Sequence, residues 1–120
     1  MRFAPVRLLT NGDMSGNLTS SGVNLNQVFM FSIQAVFTGA PVGSLKLQIS
    51  NDDVPVGAAG QDPAVNVANW VDYTGSASAV ASAGNFMWIV SEGGYQWVRV
   101  VYTFTSGTGS LNIVYNGKGA

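Results

Sequence analysis

The ten residues 95–104, YQWVRVVYTF, constrain the fold of this chain more than any other stretch. Seven are apolar, most of them β-branched or aromatic, which suits a pleated strand better than a helix. A period of two places Val98, Val100, Tyr102 and Phe104 on one face with Gln96. The other face carries Tyr95, Trp97, Arg99, Val101 and Thr103. Two such faces predict a strand covered on both sides, in the interior of a packed sheet. Ser106-Gly107-Thr108-Gly109 follows, and then Leu111, Ile113 and Tyr115 alternate with Asn112, Val114 and Asn116. The pattern predicts a β-hairpin closed by a short Gly-containing loop.

The rest of the chain reads the same way. Residues 3–9 form a first strand that Pro5 assigns to an edge or a bulge, and Asn11-Gly12-Asp13 is a turn signal. Residues 14–26 hold one or two short strands around Leu18, Val23 and Leu25. Residues 28–38 make the second clear strand, with Phe29, Phe31, Ile33, Ala35 and Phe37 on its core side. After a turn at Gly39-Ala40-Pro41-Val42-Gly43, Leu45, Leu47 and Ile49 alternate with Lys46, Gln48 and Ser50. Residues 51–69 carry no strand pattern, although Asp62-Pro63 suits the start of a single helical turn. Strands resume at 69–73 and 76–81, FMWIV at 86–90 is a short buried run, and Glu92-Gly93-Gly94 turns the chain into residues 95–104. Seven to nine strands without a long helix predict one domain over residues 1–120, an all-β antiparallel β-sandwich of jelly-roll type. Phe31, Ile33, Leu47, Val100 and Leu111 are expected to meet in its core.

Charge narrows the function. Only 9% of residues are charged, against about 25% in an average protein. Five cations against six acids cannot build the basic stripe that nucleic acid requires. No apolar run reaches the length of a membrane span, and MRFAPVRLL lacks the core and cleavage site of a signal peptide. Cysteine is absent, which removes disulfides and thiolate metal sites and leans toward synthesis in a cytosol. So few surface charges offer little repulsion against self-association, and a homo-oligomer is expected.

Few residues could carry chemistry. Without His or Cys, the commonest general base and the thiol nucleophile are both missing, and no G-x-S-x-G elbow occurs. We therefore expect no enzyme and no cofactor. Asp52, Asp53 and Asp62 are oxygen ligands available to calcium, but their spacing fits no calcium loop, and Ser50-Asn51-Asp52-Asp53 reads instead as a turn whose side chains bond the backbone, so no metal is expected. Trp88 and Trp97 lie in apolar runs and read as core, whereas Trp70 and Tyr73, beside the long loop, are the candidates for stacking a sugar ring. Arg99, alone among apolar neighbours, is expected to pair with Asp72 or Glu92 or to stack on Trp97. For contacts with a partner, the N-terminal Met1, Arg2 and Phe3 and the loop residues Ala58, Val65 and Val67 are the candidates.

The segments VGSLKLQISND, NWVDYTGS and GNFMWIVSEGGYQWVRVVYTFTSGTGSLNIVYNGKG carry a resemblance. With Ser50-Asn51-Asp52, Asn69-Trp70, Gly94-Tyr95, Trp97-Val98-Arg99, Gly107-Thr108-Gly109 and Lys118-Gly119, they resemble small proteins of bacteriophage structural genes. The resemblance covers most of the chain from about Val28 onward. It implies a β-sandwich component of the virion, bound to the major capsid protein or another virion protein, and attaches no catalytic or ligand residue to these motifs. The expected function is a capsid decoration, or cement, protein that binds across capsid subunits. The alternative is a receptor- or carbohydrate-binding module of a tail or head fibre.

Overall fold

A computed structural model describes residues 5–25, 28, 30–52, 67–91 and 95–119. Every regular element among them is a strand: β1 (Val6–Asp13), β2 (Leu18–Thr19), β3 (Val23–Asn24), β4 (Met30–Gly39), β5 (Val42–Ser50), β6 (Val71–Asp72), β7 (Ser78–Val80), β8 (Gly84–Val90), β9 (Trp97–Ser106) and β10 (Gly109–Lys118). The first sheet runs β1-β10-β4-β8, and the second runs β2-β9-β5-β6 with β3 also on β9 and β7 also on β5. All described pairings are antiparallel. The ten segments thus make eight rows, and the chain passes between the sheets in the jelly-roll order.

Alternation explains how the two layers close. Phe31, Ile33, Ala35 and Phe37 of β4 and Leu111, Ile113 and Tyr115 of β10 face Leu45 and Leu47 of β5 and Val98, Val100 and Tyr102 of β9 in one buried cluster. All five expected core residues belong to it. Trp97 is also fully buried, but on the opposite face of β9, in a second cluster with Val67 and the partly buried Trp70.

The expected hairpin between β9 and β10 does not form. β9 pairs with β5, β10 pairs with β4, and residues 107–108 carry the chain from one sheet to the other. The β4–β5 connection makes the same crossing, and the two corners stack: Ala40 N–H donates to Thr108 O at 2.8 Å. Gly107 is required there, because its φ is +83° and a Cβ would strike the Ala40 carbonyl. Two alternating strands joined by a short Gly loop satisfy either geometry locally. Here both have an apolar face, and these faces bury more surface across a core than side by side.

Two further expectations are corrected. Asn11-Gly12-Asp13 is no turn but the end of β1, where Asn11 at φ 50° sits in an irregularity of the β1–β10 register. Asn tolerates this backbone region, so it bulges an edge strand without ending it. The turn comes one residue later, with Asp13 Oδ1 accepting from Ser15 N–H. Likewise FMWIV is not buried throughout: Trp88 and Val90 face the core, while Met87 and Ile89 alternate onto the outer face of the sheet. Phe29, Asp62-Pro63 and the turn at Glu92-Gly93-Gly94 lie outside the described residues.

Candidate functional site

The outer face of the second sheet gathers the described polar groups best placed to hold a ligand. β5 sets Gln48 between Arg99 of β9 and Asp72 of β6. Arg99 Nε donates to Gln48 Oε1 at 2.8 Å, Gln48 Nε2 donates to Asp72 Oδ1 at 3.0 Å, and Lys46 Nζ donates to Asp72 Oδ2 at 3.0 Å. The guanidinium lies over the ring of Trp70, 4.2 Å from its centroid. Arg99 therefore stacks on Trp70, not on Trp97, and among the described residues it donates to Gln48, while Asp72 is taken by Lys46; Glu92, the other acid expected, lies outside the described residues. Hydrogen bonds from Gln48 first and Lys46 second hold the Asp72 carboxyl below the usual range, and burial lowers the Arg99 pKa. The row is an aromatic ring with neutral and charged hydrogen-bonding groups beside it. It contains no nucleophile poised against a base.

Asp52 closes the long loop. Its carboxylate accepts from the backbone N–H groups of Ala68 and Asn69, both at 2.9 Å, and from the Asn69 side chain at 3.1 Å. Its carbonyl accepts from the Trp97 indole at 3.0 Å. The bonds to its carboxylate, the Asn69 backbone first, pull the Asp52 pKa down. The Asp52 side chain thus bonds the backbone of residues 68 and 69 across the chain instead of its own turn, where the local bond is Asp52 N–H donating to Ser50 Oγ; Asp53 and Asp62 lie outside the described residues. Among the described residues no three His, Cys, Asp or Glu side chains come together.

The outer face of the first sheet is different in kind. Across β10, β4 and β8 it runs Asn116–Ser32–Ile89, Val114–Gln34–Met87 and Asn112–Val36–Asn85. Ile89 is 73% exposed, Met87 47% and Val36 40%. A groove of about 360 Å³ opens here, lined by Met87 and Ile89 of β8, Met30 and Ser32 of β4, and Asn116 and Lys118 of β10. Asn116 Oδ1 is buried beside it without a hydrogen-bond partner among the described residues. An apolar trough with one unused acceptor fits an apolar side chain that brings a donor.

The residues singled out in the sequence do not share one surface. Trp70 lies on the outer face of the second sheet, whereas Tyr73 packs against the main core with its ring edge-on to Tyr95 at 5.8 Å. Val67 is buried against Trp97 and Trp70, so its contacts come from its own chain. Met1, Arg2, Phe3, Ala58 and Val65 lie outside the described residues. The groove residues Met87, Ile89 and Asn116 were not singled out. For Met87 and Ile89 the signal is the alternation within FMWIV, hidden because both faces of that run are apolar. No protein-family model matches the chain, and no curated protein matches it.

Proposed function

We propose that this protein is a non-enzymatic structural subunit of a bacteriophage virion, a capsid decoration protein that stabilises the head by binding across capsid subunits. The observation that carries the reading is the groove on the first sheet, flanked by the exposed Met87 and Ile89 and lined by one cation and no acid. Apolar surface of this kind, held rigidly on paired strands, is what a permanent protein contact uses. The resemblance to phage structural proteins supplies the particle, and the shortage of charge agrees with a surface that spends its life covered. A cement protein acts by adding buried area over seams between neighbouring subunits. The test is Ile89→Lys, which places a charge in the groove wall. It should leave thermal melting unchanged and abolish incorporation into particles; normal incorporation would overturn the groove's role.

The second reading, a receptor- or carbohydrate-binding module, draws on the Trp70–Arg99–Gln48–Asp72–Lys46 row. An aromatic ring beside planar hydrogen-bonding groups matches the two faces of a sugar. It predicts a reproducible signal on a glycan array that Trp70→Ala removes. The decoration reading expects no such signal from the isolated protein.

A further inference from the structure

We infer that two copies of this chain join edge to edge through β8, antiparallel about a two-fold axis at Met87, extending the first sheet across the pair. The inference concerns the backbone edge of β8, whose Met87 and Ile89 side chains also line the groove, and it does not depend on the virion reading.

It begins with what unpaired edges look like in this fold. A sheet edge offers free N–H and C=O groups, and proteins that stay single blunt it with short strands, bulges or charge. Three of the four edges here are blunted. β1 carries two register shifts and Arg7. β2 and β3 are two residues each, and β6 and β7 are two and three residues, with Asp72 on β6. β8 has none of these protections. Its seven residues, GNFMWIV, hold seven consecutive partners on β4 without a shift and contain no charge and no proline. Among the described residues nothing pairs with its other side.

The sequence of β8 fits itself. A two-fold axis through an antiparallel pair sets residues of the same face opposite each other. Centred on Met87, all seven residues overlap: Met87 meets Met87, Asn85 meets Ile89, Phe86 meets Trp88, and Gly84 meets Val90. Outer-face residues thus stay outside, and the inner aromatic residues pair across the seam, a favourable cross-strand combination. Phe86 is free to take part, being partly exposed and packed edge-on against Trp88 at 5.1 Å. No like charges meet. A seven-residue edge is about 24 Å long, and two sheets with their side-chain layers are about 20 Å deep, so each copy covers on the order of 500 Å². The pair then buries about 1,000 Å², the lower bound for a specific interface.

The chain has no cysteine, which makes a sharp test possible. The proposed axis holds the two copies of residue 87 at the Cα separation that a disulfide needs, and places the two copies of residue 89 several residues apart. Under a mild oxidant, Met87→Cys should link into dimers at least an order of magnitude faster than Ile89→Cys or than Val6→Cys on the opposite edge. Equal rates for the three variants, or faster linking of Ile89→Cys, would overturn the proposal. The unmodified chain provides an independent check: light scattering should give twice the 12.5 kDa of one chain, with amide protection along β8 that rises with concentration. A monomer at the highest soluble concentration, or a dimer whose β8 amides exchange freely, would also overturn it.

Discussion

The indole N–H of Trp88 in β8 donates to the carbonyl oxygen of Ser76, between β6 and β7, at 2.7 Å. One side chain thereby fastens the edge of the first sheet to the edge of the second. Trp88→Phe keeps a ring in the core but leaves the Ser76 carbonyl without its donor. We predict a loss of about 1–3 kcal/mol in denaturant unfolding, the usual cost of a buried group left unpaired. A loss near zero would mean that water replaces the indole and the rim is looser than described.

Tyr115 presents the opposite case. Its hydroxyl is buried with no hydrogen-bond partner among the described residues, and burial raises its pKa. The phenol lies over Gly117, where a Cβ would collide with the hydroxyl oxygen. Tyr115→Phe removes an unsatisfied group and is predicted to be neutral or stabilising by up to about 1 kcal/mol. Gly117→Ala should cost about 1–3 kcal/mol by overpacking, and less when combined with Tyr115→Phe. Additive effects in the double variant would separate the two residues.

Leu47 faces Val100 across the central β5–β9 ladder and is almost wholly buried. Leu47→Ala should cost about 2–5 kcal/mol. A cost below about 1 kcal/mol would place the Leu45–Leu47 face outside the core.

Strand identity was legible where burial is one-sided. Leu45 and Leu47 alternate against Lys46 and Gln48, and the structure keeps that division. Pairing was not legible, because the Ser106-Gly107-Thr108-Gly109 corner has the composition of a hairpin loop. What decides is whether β9 and β10 meet edge to edge or face to face, a long-range choice set by β4 and β5. The aromatic site was half legible: Trp70 does meet polar groups, but its partner Arg99 reaches it from a strand about thirty residues away in sequence. Apolar residues on both faces of β8 concealed the groove for a simpler reason. Nothing in FMWIV says which of its faces is the outer one.

Asp52 gives a pH dependence with a definite sign. Its folded pKa lies below the ordinary carboxylate range because backbone N–H groups of Asn69 and Ala68 and the Asn69 amide bind the ionised form. Its contribution is complete above the unfolded pKa and disappears as pH falls through the lower, folded value. Asp52→Asn should therefore melt at lower temperature than the parent at neutral pH, with the two curves converging below about pH 4. Asp13 and Asp72 are shifted the same way, so both proteins keep some acid sensitivity. A gap between the curves that does not change with pH would remove the ionic role of Asp52.

The most direct measurement of the proposed decoration role is the number of copies of this chain in purified virus particles assembled in its presence, by quantitative mass spectrometry against the major capsid protein. The account predicts a copy number in fixed proportion to the capsid lattice, lost from particles when Ile89 is replaced by Lys. A few copies per particle, or none, would contradict it.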